Sequence, residues 1–135
     1  MMSGKHLILV ADSDVNLLRR VTSLAKSEGY DIITTDTGRN VMALALRHAP
    51  ELIVLDVAFP DTDGRDLLQQ LKRDLRLAEI PVLMWSERDY DSDRRIALEL
   101  GAADYLAKSD TLLLMPKIQR VLLHAKREAE MAQRL

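Results

Sequence analysis

Strand-length apolar runs alternate with stretches of helical period almost from end to end of this chain, and that alternation leaves few folds open. His6-Leu7-Ile8-Leu9-Val10-Ala11 reads as a buried strand stopped by Asp12-Ser13-Asp14. From Val15 to Glu28, Leu17, Leu18, Val21, Leu24 and Ala25 recur at helical spacing, and Gly29 is placed to end that helix. Tyr30 to Thr35 reads as a second strand. Val41, Leu44, Ala45 and His48 mark a helix that stops before Pro50. Leu52-Ile53-Val54-Leu55 is apolar throughout, as expected of a strand covered on both faces. After the turn residues Phe59 to Gly64, a helix is predicted through Leu67, Leu68, Leu71 and Leu75. Pro81 to Trp85 is the fourth strand, and Ile96, Ala97 and Leu100 define a helix closed by Gly101. Ala103 to Leu106 is a short fifth strand, and a last helix is expected from near Thr111.

Five such units in succession predict an α/β fold with one parallel sheet and helices on both faces. Parallel neighbours need right-handed helical crossovers. In open sheets of this kind, ligands bind beyond the carboxyl ends of the strands, where the strand order reverses. The residues following each strand are therefore the ones to read for chemistry. They are Asp12, Ser13 and Asp14 after the first strand, Asp56 after the third, Ser86 after the fourth and Lys108 after the fifth. Each alone has an ordinary explanation. Asp14 is well placed to cap the following helix, Asp56 is a loop acid, Ser86 a turn former and Lys108 a solvated charge. Together they put carboxylates, a hydroxyl and an ammonium at one sheet edge.

Leu52-Ile53-Val54-Leu55-Asp56, with Pro60 and Gly64 downstream, resembles the phosphoacceptor segment of response-regulator receiver domains. Ile8-Leu9-Val10-Ala11-Asp12 and Gly101-Ala102-Ala103-Asp104-Tyr105-Leu106-Ala107-Lys108 resemble two further segments of that family, and the likeness runs over roughly residues 6 to 125. The resemblance implies a flavodoxin-like, doubly wound five-stranded sheet in the order 2-1-3-4-5, and a two-component signalling switch and not an enzyme. Asp56 would accept a phosphoryl group from a histidine kinase or phosphotransfer protein. Asp12, Asp56 and the backbone carbonyl of Ala58 would hold Mg²⁺. Ser86 and Lys108 would contact the phosphoryl oxygens, and Tyr105 would be the aromatic switch residue moving with Ser86. Phosphoryl transfer asks mainly for positioning and charge neutralisation, which suits such a residue set.

Three positions depart from the family pattern. Ser13 stands where receivers usually carry a second acid that ligates Mg²⁺ directly, so its hydroxyl serves only weakly or through water. One charged contact at ~4 Å is worth up to ~4 kcal/mol at an effective dielectric near 20, before desolvation. Asp14, one residue further on, is an uncertain substitute. Glu87 follows the switch serine where a small residue is usual, and Ser109 follows Lys108 where a cis proline is usual. A non-proline cis bond costs ~2.5–4 kcal/mol, so a trans loop is expected. These departures keep a second reading open: a phosphate-independent pseudo-receiver that acts as an interaction module.

Other chemistries find less support. Asp61-Thr62-Asp63-Gly64 and Asp89-Tyr90-Asp91-Ser92-Asp93 are acidic and alternating, but neither supplies the glycine and glutamate that a calcium-binding EF-hand needs at its sixth and twelfth positions. No Gly-x-Ser-x-Gly is present, and the turn after the first strand is acidic instead of glycine-rich. With no cysteine, disulfides and thiolate sites are excluded, and the three histidines read as incidental. At 47% hydrophobic and 30% charged residues, the chain has material for a core. Its net charge of -2, with 19 basic against 21 acidic residues, offers no footprint for nucleic acid or an anionic membrane. The doublets Arg19-Arg20 and Arg94-Arg95 read as solvated helix faces. Met1 to Lys5 lead straight into a strand-length run instead of a signal-peptide core, and no apolar stretch approaches ~20 residues, so a cytoplasmic protein is expected.

The 135 residues are read as a receiver domain over 1–125 and, over 126–135, an extension of the last helix. Ile118, Val121, Ala125, Ala132 and Leu135 lie on a heptad-like stripe interrupted by Glu128. That stripe suggests a linker toward an output domain or a homodimer contact.

Overall fold

The computed structural model describes residues 6–134 of the chain. Five strands, β1 (Leu7–Ala11), β2 (Asp31–Thr35), β3 (Leu52–Asp56), β4 (Val82–Ser86) and β5 (Asp104–Ala107), form one parallel sheet in the order β2-β1-β3-β4-β5. Between and after them run α1 (Val15–Ser27), α2 (Val41–His48), α3 (Gly64–Arg73), α4 (Asp91–Glu99) and α5 (Leu114–Gln133). Short 3₁₀ segments precede α2 at Gly38–Asn40 and α5 at Lys108–Leu113. The predicted fold and strand order are what the chain adopts.

Side chains alternate across a strand, and the two faces of this sheet separate accordingly. Ile8, Val10, Leu52, Val54, Leu83, Trp85 and Leu106 face α1 and α5, where they meet Leu17, Leu18, Val21, Leu114 and Ile118. Leu9, Ala11, Ile53, Leu55, Val82, Met84 and Tyr105 face the opposite way and meet Val41, Ala45, Leu67, Leu68, Leu71 and Ala97. The central strands β3 and β4 are buried at every position, which explains their unbroken apolar character.

Several local details differ from the sequence reading. Leu75 is not on α3 and is 94% exposed; Leu77 is buried in its place. The helix stops at Arg73 because Asp74 leaves the helical region and its carboxylate accepts from the Arg76 backbone and guanidinium. The last helix begins at Leu114, and Thr111 lies inside the preceding 3₁₀ segment. On the stripe along α5, Ile118 and Val121 are buried, Ala125 is half-buried and Ala132 is exposed. Leu135, and the first five residues of the expected receiver span, lie outside the described residues. Arg19, Arg20 and Arg95 are exposed as expected, whereas Arg94 is half-buried and donates to the Tyr105 carbonyl.

The helices are unequally anchored. α3 buries Leu67, Leu68 and Leu71, each worth roughly 1.5–3 kcal/mol when withdrawn from water. α4 buries only Ala97, while Ile96 and Leu98 stay 38% and 44% exposed. A helix with so little buried apolar surface belongs to the low-stability end of a domain. Gly29 and Gly101 end α1 and α4 at φ +87° and +108°, the left-handed region that glycine enters without strain. Among the described residues no helix is long and apolar enough to cross a membrane.

Candidate functional site

The carboxyl ends of β1, β3, β4 and β5 collect the residues expected there. Asp56 is the last residue of β3 and 4% exposed; its Oδ1 accepts a 3.2 Å bond from the Ala58 N–H. Asp12 follows β1 and is fully buried, with its own N–H donated to the Thr35 carbonyl and its Oδ1 accepting from the Asp14 N–H at 2.8 Å. Lys108 follows β5 and reaches back between them. Its Nζ lies 2.6 Å from Asp12 Oδ2 and 3.1 Å from Asp56 Oδ2, with 12% of the side chain exposed.

The loop after Asp56 is set by a tight approach. Gly64 N–H donates to the Val57 carbonyl at 2.7 Å and Phe59 N–H to the Thr62 carbonyl at 3.1 Å, closing an antiparallel bridge between Ala58 and Asp63. The Ala58 carbonyl takes no part in that bridge. A Cβ on Gly64 would fall 1.9 Å from the Asp56 carbonyl oxygen, so only glycine lets α3 start against the end of β3. Further along this loop, Asp61 accepts from the N–H groups of Gly38 and Arg39, tying it to the 3₁₀ turn before α2. Those donors hold the Asp61 carboxyl below the ordinary range despite the opposing desolvation.

Burial and the neighbouring Asp12 charge push the Asp56 carboxyl up, with Lys108 and the Ala58 N–H offsetting part of the rise. Burial alone would lower the Lys108 ammonium; the Asp12 and Asp56 carboxylates outweigh it and hold that group above the ordinary lysine value. The site is thus a buried cluster of two acids and one base, in which each acid depends on the same cation.

Ser86 ends β4 at 7% exposure, and its hydroxyl accepts from the Arg88 N–H at 3.1 Å. Tyr105 is turned inward at 1% exposure and donates its hydroxyl to the Arg88 carbonyl at 2.8 Å. Ser86 and Tyr105 therefore grip the same residue, one through its N–H and the other through its carbonyl. Arg94 completes this arrangement. Its guanidinium lies 5.5 Å from the Tyr105 ring centroid, donates to the Tyr105 carbonyl and pairs with Asp104 at 3.6 Å. Sequence reasoning missed Arg94 because a doublet on a polar helix carries no sign of what folds against it.

Of the positions that depart from the family pattern, Ser13 and Glu87 are exposed. Asp14 is exposed and serves as the N-cap of α1, its Oδ1 accepting from the Leu17 N–H at 3.1 Å. Ser109 is exposed, and no peptide bond among the described residues is cis. The Lys108 carbonyl is instead bound by the Thr111 hydroxyl at 2.5 Å. Among the described residues no three His, Cys, Asp or Glu side chains stand together so as to hold a metal ion by themselves. A groove of about 890 Å³ beside α1, lined by Leu18, Arg19, Thr35 and Asp36, includes none of Asp12, Asp56 or Lys108. The acidic site is marked by its chemistry and not by volume.

The model of the response regulator receiver domain family matches residues 8–119. The chain belongs to this family. Among curated relatives, the receiver is 36% identical over 101 residues to the alkaline phosphatase synthesis transcriptional regulatory protein PhoP of Bacillus subtilis, covering 75% of this chain and 41% of that protein. It is 36% identical over 102 residues to the transcriptional regulatory protein KdpE of Mycobacterium tuberculosis, covering 76% and 44%. The receiver thus spans about two fifths of the length of these relatives. Among solved structures, the signal receiver domain of a Luxo repressor protein from Vibrio parahaemolyticus superposes with a TM-score of 0.83 at 25% identity, covering 94% of this chain and 97% of that one. The receiver domain of the Francisella response regulator 1452 gives 0.78 at 27% identity, covering 92% and 99%.

Proposed function

We propose that this two-component receiver takes a phosphoryl group on Asp56 from a histidine kinase or phosphotransfer protein. The observation that carries this reading is the convergence of Asp12, Asp56 and Lys108, with the one ammonium within 3.1 Å of both carboxylates. In the transfer, an Asp56 carboxylate oxygen bonds to phosphorus while the phosphorus–nitrogen bond of the donor phosphohistidine breaks, and the electron pair leaves with the imidazole. Lys108 would neutralise charge on the phosphoryl oxygens and Ser86 would donate a hydrogen bond to one of them. The Ser86 hydroxyl can donate while still accepting from the Arg88 N–H, so a movement of Ser86 toward the phosphoryl group would draw on Arg88 and, through the Arg88 carbonyl, reach Tyr105. The switch would then pass to the thinly packed α4, β5 and the start of α5.

The donors present suit Mg²⁺: hard carboxylate oxygens on Asp12 and Asp56 and the Ala58 carbonyl, with water completing the shell. Asp12 is fully buried, and its Oδ2 faces the Lys108 ammonium at 2.6 Å. When bound, the cation would offset charge on the transferring group; Ser13 would reach it weakly or through water.

The receiver would act in the cytoplasm as a switch without turnover of its own. It would work through a homodimer or an output domain engaged by the last helix, with no direct contact to nucleic acid or membrane. The relatives' names speak of transcriptional regulation, which fits an output beyond the receiver. The test is intact mass after acetyl phosphate and Mg²⁺, together with Trp85 fluorescence on adding Mg²⁺ and then beryllofluoride. A phosphoryl adduct and a fluorescence response, both absent in Asp56→Asn, are expected. Exposed Ser13 and Asp14 favour the second reading, a phosphate-independent interaction module, and absence of both signals would select it.

A further inference from the structure

Lys108 has a third neighbour. Its Nζ lies 5.5 Å from the centroid of the Trp85 ring, inside the range of a cation–π contact. Trp85 is fully buried, packs on the α1–α5 side with Val10, Leu18 and Leu114, and stands beside Asp56 in the β3–β4 register. Its indole Nε1 has no hydrogen-bond partner among the described residues. A buried N–H without an acceptor is costly, and leucine or phenylalanine would fill a strand position here without that cost. What tryptophan adds is the face of its ring, the strongest cation-binding surface among the aromatic side chains.

We infer that Trp85 is a positioning residue for Lys108, its indole face holding the ammonium between the Asp12 and Asp56 carboxylates. The contact matters in a site with two acids, where displacing one cation leaves both carboxylates bare. Its consequence for phosphoryl binding rests on the proposed role of Asp56; the contact itself does not.

A double-mutant cycle decides it. Trp85→Leu and Lys108→Met are made singly and together in the 135-residue chain, and unfolding constants are taken from urea titrations. Trp85→Leu is expected to lower the folding constant by at least about threefold more when Lys108 is present than in the Lys108→Met background. Equal losses in the two backgrounds, within about twofold, would overturn the inference, because a tryptophan that merely fills the core does not sense the lysine. If Trp85→Leu does not fold, Trp85→Phe supplies the cycle, with coupling expected above twofold. If neither folds, Trp85 emission decides: a shift in Lys108→Met supports the contact and an unchanged spectrum refutes it. Beryllofluoride affinity in Mg²⁺ should fall from Trp85 through Trp85→Phe to Trp85→Leu. Coupling in the cycle without beryllofluoride binding by any variant, parent included, would leave Trp85 positioning Lys108 and remove the phosphoacceptor reading instead.

Discussion

Lys108 Nζ lies closer to Asp12 Oδ2, at 2.6 Å, than to Asp56 Oδ2, at 3.1 Å. One ammonium serves two buried acids, and the acid that would remain once Asp56 is modified holds it more tightly. Lys108→Met should therefore destabilise the fold by about 2–3 kcal/mol at neutral pH, discounted for a partly hydrated ammonium, because both carboxylates lose their cation. The raised Lys108 pKa sets the sign at high pH. Its contribution is complete below the ordinary lysine value of about 10.4 and is lost as pH rises through the folded-state value. In acid the defect should shrink as the carboxylates protonate. Urea titrations of both chains across pH check this.

Asp56→Asn should stabilise the receiver. A folded-state pKa above the unfolded one means that folding disfavours the ionised carboxyl, so the Asp56 contribution to stability is least favourable above the folded pKa and improves as pH falls through it. The variant lacks that penalty. Its Tm should exceed the parent's by about 3 °C at neutral pH, and the gap should close in acid. A variant no more stable than the parent at pH 7 would show that the Lys108 pair outweighs burial.

Ser13→Asp adds a carboxylate next to Asp12 at a site where Asp14 caps α1. Even a net gain of ~1.4 kcal/mol tightens Mg²⁺ binding tenfold. A Mg²⁺ titration followed by Trp85 fluorescence should show at least that change. An unchanged midpoint would mean that position 13 does not face the metal ligands.

Gly64→Ala places a methyl 1.9 Å from the Asp56 carbonyl oxygen and 2.8 Å from that of Val57, and backbone cannot step aside as a side chain does. A loss of about 2–4 kcal/mol is expected, with the urea midpoint lowered and the m-value kept. Because the collision is with Asp56 itself, phosphorylation by acetyl phosphate should fall in the molecules that remain folded.

Much of this was legible in the residues. The unbroken apolar run of β3 reported burial on both faces, and Asp12, Asp56, Ser86 and Lys108 stand at strand ends where a doubly wound sheet collects its ligands. The N-cap reading of Asp14 also holds. Leu75 was misplaced because an apolar residue at helical spacing looks the same whether the helix continues or not, and Thr111 because a 3₁₀ turn and an α-helix start share the same residues. Asp74 stops the first helix by capturing Arg76, and the 3₁₀ segment delays the second. Arg94 and Arg95 are indistinguishable as a doublet, yet Arg94 lies over Tyr105.

The sequence by itself determined the number, kind and order of the elements, the faces they bury and the residues gathered at the sheet edge. Those follow from period, and period is a local property of the chain. Only the tertiary structure decided that Lys108 bridges Asp12 and Asp56, that Trp85 lies under it, and that Ser86 and Tyr105 meet through Arg88. These contacts join strands and loops far apart in the chain. They depend on ångström-scale approach between side chains and backbone, which periodicity does not encode.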